Sequence, residues 1–145
     1  MGLYPPMLHP DLEKVAGIYL TGRAEVTVAV GTKLPPTPPN RTKPAPFLRT
    51  EFGGGGQINP LEFRLHTILH SYNADEDAAA ETSITATALL GAASGETVNG
   101  WFISHAVADV LTHRTPDPDV PNMARYRSQA TWIVTGKPLG SPITP

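Results

Sequence analysis

Apolar and polar positions alternate most clearly between residues 61 and 70. Four apolar residues of this stretch would share one side of the backbone: Leu61, Phe63, Leu65 and Leu69. A period of two is typical of a strand with one buried face. Helical spacing also fits part of the stretch, and Asn59-Pro60 would suit the start of a helix. We favour the strand because Phe, Thr and Ile prefer that conformation and because a new capping residue, Asn73 or Asp75, follows.

The next segment, from Asp75 to Ala93, has the periodicity of a helix. Ala80, Ile84 and Ala88 recur every four residues, and the many small side chains would let the helix lie close to a sheet. We therefore expect this helix to cover the apolar face of the preceding strand. A strand followed by an alanine-rich helix is the predicted core of the fold.

Three more elements are predicted before residue 61. Residues 11–20 predict a helix, because four apolar side chains form one stripe: Leu12, Val15, Ala16 and Tyr19. Residues 25–30 alternate Val with smaller residues and predict a strand. Residues 47–52 predict a second strand, which the four glycines at 53–56 would terminate as a hairpin connection or a mobile tip.

Two or three strands are expected after the second helix. Residues 98–102 predict one strand, and residues 103–112 continue it or bend into another. Residues 125–135 alternate clearly, and one face would be formed by Tyr126, Ser128, Ala130, Trp132 and Val134. This order of elements predicts an α+β fold, with a mostly antiparallel mixed sheet of about five to six strands and two helices packed on one face.

The composition suits one domain with long irregular connections. The 145 residues include 16 prolines and 13 glycines, and 40% of them are hydrophobic. We expect a single domain over residues 1–145, with an ordered core at roughly 8–136, a proline-rich loop at 33–46 and a loose tail at 137–145. The proline-rich loop is locally basic, and it is either a solvated connection or an arm that packs on a partner.

Charge and cysteine content exclude several classes of function. The chain has no cysteine, which excludes disulfides, thiolate zinc sites and cysteine nucleophiles. Its formal net charge of -2 offers no global attraction to nucleic acid or to an anionic membrane. The first residues lack the pattern of a signal peptide, and no window has the ~20 apolar residues of a transmembrane helix. We therefore expect a soluble protein that is made and retained in a cytoplasm.

Three residue groups resemble catalytic or binding motifs, but each lacks a required part. The glycines at 53–56 are not followed by the Lys and Ser or Thr of a phosphate loop. His66 and His70 share a face, but no Glu follows His66 and no third metal ligand is evident. Ser104 and His105, with Asp109, have the residue types of a hydrolytic triad. The first two, however, would point to opposite faces of a strand, and no nucleophile elbow is present.

A fourth group contains oxygen ligands of the kind that calcium prefers. Asp117, Asp119 and Asn122 are close in sequence, but the interleaved prolines and the missing Gly and terminal Glu argue against an EF-hand loop. We therefore expect no catalytic residues, no metal site and no cofactor.

The remaining candidates are surface contacts. Arg125 and Arg127 would lie on the outer face of the last strand, while Phe47, Arg49 and Glu51 would share one face of the second strand. The candidate subunit or partner interface comprises charged, aromatic and glycine positions: Lys33, Arg41, Lys43, Phe47, Arg49, Glu51, Gly53, Gly54, Gly55, Gly56, Arg125 and Arg127.

Several short sequence motifs follow one another in an order that is known from one protein family. The N-terminal helix leads into a Val-rich strand and the turn at 31–36, and Pro46-Phe47-Leu48-Arg49 leads to the glycine-rich tip. The strand at 63–69 with its alanine-rich helix follows, and then the loop at 115–118 before Arg125-Tyr126-Arg127 and a final strand. Over roughly residues 8–136, this pattern resembles the tail terminator proteins of long-tailed bacteriophages, particularly those of actinobacterial siphophages.

The resemblance implies a structural protein of the phage neck. Such a subunit forms a ring, typically hexameric, that caps the tail tube, terminates tail polymerisation and joins the tail to the head. The implied partners are copies of the chain itself, the tail tube protein and a head-completion or stopper protein. DNA would pass through the ring without sequence-specific binding, no membrane would be involved, and the family has no catalytic residues. The implied location is the neck of the virion, assembled in the host cytoplasm.

Three alternatives remain open. The chain resembles other head-tail connector subunits, such as head-completion or stopper proteins, in size and composition. A small hydrolase or metal-dependent enzyme would require His66, His70 or His105 to be functional. A monomeric binding module would present the proline-rich arm to an aromatic groove. If a ring forms, its contacts are heterologous, so we expect loops and edge strands, including the arm and the glycines at 53–56, to be interface elements.

Overall fold

Four long strands form the centre of the fold, and two helices cover one face of them. The computed structural model describes residues 4–33 and 45–140. The elements in chain order are β1 (Met7–Leu8), α1 (Leu12–Thr21), β2 (Ala29–Gly31), β3 (Phe47–Asn59), β4 (Glu62–Asn73), α2 (Glu76–Gly91), β5 (Thr97–Val98), β6 (Trp101–Arg114), β7 (Ala124–Thr135) and β8 (Lys137–Pro138).

The main sheet has six strands in the order β2-β3-β4-β7-β6-β5. All neighbouring strands are antiparallel except β2, which runs parallel to β3. A separate antiparallel pair joins β1 near the N-terminus to β8 near the end of the described chain. The predicted α+β class, with a mostly antiparallel mixed sheet and two helices on one face, is therefore confirmed.

The core lies between the helices and alternate residues of the long strands. Phe63, Leu65 and Leu69 of β4 are buried, as the period-two pattern predicts. Trp132 of β7 is fully buried, and Tyr19 of α1 meets its ring edge to face, with 5.6 Å between the ring centroids. Aromatic pairs prefer this geometry over direct stacking, so the contact fixes α1 against the centre of the sheet.

The prediction that the second strand ends at the glycines is wrong. Strand β3 continues through them to Asn59 and pairs with β4 over the whole hairpin. A bulge between Phe52 and Gly55 interrupts the register, and Gly54 and Gly55 have positive φ angles of 88° and 146°. Glycine adopts such angles without steric cost, so Gly54 and Gly55 allow the strand to bend instead of ending it.

Helix α2 has the expected position, but its predicted core face is wrong. Ile84 and Ala88 are exposed, and Ala80 is only partly buried. The buried face consists of small or polar residues together with one leucine: Ala79, Ser83, Ala86, Thr87 and Leu90. Thr87 can be buried because its hydroxyl donates to the Ser83 carbonyl and is hydrogen bonded to the Ser128 hydroxyl of the sheet. The Ser83 hydroxyl is likewise hydrogen bonded to the Thr112 hydroxyl of β6. The apolar side chains alone therefore indicated the wrong side of the helix.

Three strand boundaries also differ from the prediction. Strand β2 contains only residues 29–31, whereas the prediction was residues 25–30. The residues before 29 form no ladder with another strand in the described chain. Leu61 lies outside β4 in the hairpin turn, where Asn59 Oδ1 accepts hydrogen bonds from the backbone N–H groups of Leu61 and Glu62. The predicted strand at 98–102 is broken by a turn at Asn99 and Gly100, whose φ angles are 50° and 82°. Paired positive φ angles are typical of a tight hairpin, so β5 and β6 are separate strands.

Part of the predicted loose tail is ordered, since β8 pairs with β1 and the Leu139 backbone N–H donates to the Pro6 carbonyl at 2.8 Å.

Within residues 4–33 and 45–140, neither helix has the length and apolar character needed to cross a membrane.

Candidate interaction surface

The face of the sheet opposite the helices carries five of the twelve predicted interface residues: Phe47, Arg49, Glu51, Arg125 and Arg127. Residues that are directly paired in antiparallel strands point to the same side of the sheet. Arg49 of β3 is paired with His70 of β4, and His70 is paired with Arg127 of β7. Glu51 is paired with Ile68 in the next row of this face. We call this polar side of the sheet the helix-free face.

A loop covers one end of the helix-free face. Phe47 and Tyr72 stack with 4.6 Å between their centroids and an interplanar angle of 7°, and Val120 and Met123 complete a small buried cluster with them. Phe47 is therefore almost fully buried and offers little surface for a partner. This cluster is separate from the main core and anchors the loop between β6 and β7.

Arg125 is used mainly to hold that loop. Its Nε donates to the Thr115 carbonyl at 2.6 Å, and its guanidinium lies 3.6 Å from the Asp117 carboxylate. The Tyr72 hydroxyl donates to the same carboxylate at 2.8 Å. Burial raises the pKa of Tyr72, and the hydrogen bond to Asp117 raises it further. Asp117, one of the oxygen ligands considered for calcium, is thus hydrogen bonded and ion paired within the protein.

His70 and Glu51 form a second polar contact on this face. The 2.9 Å distance joins His70 Nε2 to Glu51 Oε1, while His70 Nδ1 is buried and has no partner within the described residues. Burial lowers the pKa of His70, so the neutral ring donates its Nε2–H to a charged carboxylate. That hydrogen bond lowers the pKa of Glu51, and nearby Arg49 and Arg127 act in the same direction. The pair is therefore a charge-assisted hydrogen bond that is buried on the histidine side.

The residues of the hydrolytic alternative do not assemble into a triad. Asp109 accepts from the Thr131 hydroxyl at 2.6 Å, and Thr131 Oγ1 lies 2.8 Å from His66 Nδ1. This chain of contacts places a buried threonine, rather than an exposed nucleophile, beside the histidine. Ser104 instead donates to Glu62 Oε2 at 2.8 Å. Among the described residues, no three His, Asp or Glu side chains are close enough to hold a metal ion.

The other predicted positions within the described residues lie at the periphery. Lys33 is exposed just beyond the end of β2, and the glycines at 53–56 form the bent part of the β3–β4 hairpin. Arg41 and Lys43 lie outside the described residues, as does most of the proline-rich loop. The structure thus brings Arg49, Glu51 and Arg127 together on one face, but it does not join them to the glycine hairpin.

Sequence reasoning missed a set of exposed apolar side chains. Some lie at the two lateral edges of the sheet, namely Ile18, Ile84, Val107 and Leu111. Others lie near the start of β4 and the end of β7: Leu8, Ile58, Leu61, Phe102 and Leu139. Sequence periodicity had assigned Ile84 and Leu61 to the core. Only their exposure in the folded chain identifies them as candidates for contacts with other molecules.

Comparison with solved structures shows a similarity of fold. No protein-family model matches the sequence, and no curated protein matches it significantly. Among solved structures, the chain is similar to a protein chain of the virion of a native gene transfer agent particle. The TM-score is 0.63, the match covers 86% of this chain and 95% of that chain, and the sequence identity is 12%. The two chains therefore share a fold over most of their length.

Proposed function

We propose that this chain is a structural subunit of a phage or phage-like particle, located at the neck between tail and head. The fold that it shares with a virion chain of a gene transfer agent particle carries this proposal, because the match covers 95% of that chain. A fold alone can serve many functions, so the argument also needs the surface of this molecule.

The described surface has the features of an assembly subunit. Large apolar side chains are exposed at both lateral edges of the sheet and near one of its ends. Each such side chain alone is ordinary on a protein surface, but edges and ends are the positions where neighbouring subunits of a ring and stacked rings would meet. The contacts of His66, His70 and Ser104 are structural hydrogen bonds within the sheet. These observations favour assembly over the enzymatic alternative.

We infer in particular that the chain acts as a tail terminator. It would form a ring, six subunits being the number that the family resemblance implies, and this ring would sit on the last tail-tube ring and stop further polymerisation. The opposite side of the ring would receive the head-completion or stopper protein. Another connector subunit is the second candidate, since it would require the same kind of self-association.

The test is assembly of tail tubes from purified tail tube protein, with and without the purified chain. Negative-stain microscopy should show ring-shaped density at one end of each tube, and the tubes should stop growing once the chain is added. Tubes grown without the chain provide the reference length. Binding to heads, with no effect on tube growth, would instead support the connector alternative. A chain that binds neither tubes nor heads and forms no rings would overturn the proposal.

A further inference from the structure

One lateral edge of the sheet is formed by β6. Beyond Phe102, β6 pairs only with β7 in the described part of the chain. The segment between α2 and β5 covers the edge at Ile103 and Ala106, whose backbone N–H groups donate to the Glu96 carbonyl and the Ser94 hydroxyl. From Val107 to Arg114, no strand of the described chain pairs with the outer side of β6. Leu111 is 73% exposed on this edge, and Ile84 of α2 is 58% exposed beside it. Together with Ala88, Ala108, Thr87 and Thr112, they line an open apolar groove between α2 and β6. We call this groove the β6 edge surface.

The opposite lateral edge is formed by β2 and α1. Strand β2 pairs only with β3 among the described residues. A second open groove lies between α1 and β2, and its lining includes Lys14, Ile18, Val30 and Thr32. Ile18 is 42% exposed there. We call this groove the β2 edge surface.

The strand directions make the two edges compatible with each other. Strand β2 runs parallel to β3, and β3, β4, β7 and β6 alternate in direction, so β6 runs opposite to β2. If subunits are related by rotation about an axis that follows the strands, β6 of one copy lies antiparallel to β2 of the next. The helices lie on the same face of the sheet, so α2 of one copy then faces α1 of the next. The sheet and the layer of helices would then both continue from one copy to the next without interruption.

The charges at the two edges are also complementary. Helix α2 contains acidic residues and no lysine or arginine, and its exposed Asp77 lies on the same stripe as Ile84 and Ala88. Asp77 forms no ion pair within the described residues, whereas Glu76 is paired with Arg114 at 2.6 Å. The β2 edge instead exposes Lys14 and Lys33. The acidic residue in the lining of its groove, Glu13, is half-buried, and its carboxylate accepts from the Phe52 backbone N–H at 3.1 Å. Opposite charges around apolar centres favour contact between unlike edges over contact between two like edges.

We propose that the β6 edge surface of one copy binds the β2 edge surface of a second copy, head to tail. The occupant of each groove is thus the neighbouring subunit of the same chain. Such a heterologous contact repeats around a ring and leaves no sheet edge uncovered once the ring closes. This assignment rests on the proposed function for the closed ring, but the contact between two copies can be tested separately.

Cysteine cross-linking tests the contact cleanly, because the native chain contains no cysteine. Leu111→Cys places a thiol on the β6 edge, and Ile18→Cys places one on the β2 edge. The matched control is Leu61→Cys, at an exposed apolar position in the β3–β4 turn. Circular dichroism should show that all three variants fold. A short bis-maleimide is then added to each variant and to mixtures, both free in solution and with tail tubes present.

We expect the mixture of Leu111→Cys and Ile18→Cys chains to give cross-linked dimers. Its yield should exceed that of the mixture of Leu61→Cys and Ile18→Cys by at least about ten-fold. Each variant alone should give no dimer above the control, because a head-to-tail contact does not bring two copies of one edge together. A chain that carries both Ile18→Cys and Leu111→Cys should give a ladder of higher oligomers.

Three results would overturn the contact: no dimers in the mixed reaction, equal yields with the Leu61→Cys control, or dimers of Leu111→Cys alone. The test also separates this inference from the proposed function. Rings on tail tubes without the expected cross-link would refute the contact and leave the proposed function standing. The expected cross-link without rings or tube binding would support the contact and refute the proposed function.

Discussion

The indole Nε1 of Trp132 donates a hydrogen bond to the backbone carbonyl of Leu90, and the two atoms lie 2.8 Å apart. Leu90 is in the last turn of α2, where carbonyl groups have no donor within the helix. The preceding carbonyl, that of Leu89, accepts from the Tyr19 hydroxyl at 2.7 Å. The end of α2 is thus capped by side chains from the sheet and from α1, and the same aromatic pair fills the core beneath it.

Replacement of Trp132 by Phe should therefore be strongly destabilising. The substitution leaves the Leu90 carbonyl unsatisfied in the core and leaves a cavity, so we expect a loss of about 2–4 kcal/mol in the free energy of unfolding. Urea denaturation followed by circular dichroism measures this loss. The matched control is Trp101→Phe, since Trp101 is only partly buried beneath Lys137 and should cost less than about 1 kcal/mol. Equal losses at the two positions would contradict the role assigned to Trp132.

The glycines of β3 should differ sharply in their tolerance of alanine. A Cβ on Gly55 would lie 2.0 Å from the Arg64 carbonyl oxygen, at a φ of 146°. We expect Gly55→Ala to cost about 3 kcal/mol or more in the free energy of unfolding, because backbone atoms must move. Gly54 has a φ of 88° but open space around it, so Gly54→Ala should cost about 1–2 kcal/mol.

Gly56→Ala is the control in this series, because its Cβ would meet no atom within 4 Å and its φ is not in the left-handed region. Its effect should be within about 0.5 kcal/mol of zero. Chemical denaturation of the three variants gives the order directly. If Gly56→Ala proves as harmful as Gly55→Ala, the bulge does not explain why glycine occupies these positions.

Acidification should destabilise the fold through His70. Burial holds the pKa of His70 below its ordinary value of 6.5, so the unfolded chain takes up a proton that the folded chain does not. The free energy of unfolding should therefore fall as the pH decreases from about 7.5 to about 5.5. Glu51, whose pKa is below its ordinary value of 4.5, adds stability that is lost only at still lower pH.

The variant His70→Gln should show a smaller loss of stability over the same pH range, because it has no ring to protonate. His113→Gln, at an exposed position near the end of β6, is the matched control and should retain the dependence of the native chain. Urea midpoints at the two pH values measure the effect. An unchanged pH dependence in His70→Gln would show that other groups cause it.

The buried hydroxyls of Thr87 and Ser128, 2.6 Å apart, should be energetically coupled. Thr87→Val leaves Ser128 without this partner in the core and should cost about 1–3 kcal/mol. Because the paired replacement removes both polar groups, Thr87→Val with Ser128→Ala should cost at least about 0.5 kcal/mol less than the sum of the single effects. Thr87→Val combined with the exposed Thr21→Val should be additive, since the two hydroxyls share no partner. Additivity in both pairs would contradict the coupling.

The sequence by itself determined the local elements and the fold class. The period-two pattern located β4 and β7, and the stripe of Leu12, Val15 and Ala16 located α1. The side chain of Asp75 caps α2 by accepting from the backbone N–H groups of Asp77 and Ala78. These features depend on residues a few positions apart, so the chain contains them before it folds.

Only the tertiary structure decided which surfaces are covered. Thr87 is buried because Ser128, 41 residues away, hydrogen bonds to it, while Ile84 is exposed because α2 rests on its small and polar side. Ile84 therefore belongs to an outer edge, although its hydrophobicity indicated the core. In the same way, the pairing of His70 with Glu51 depends on the register of β3 and β4. Burial and pairing are properties of contacts between distant segments, and no local pattern specifies them.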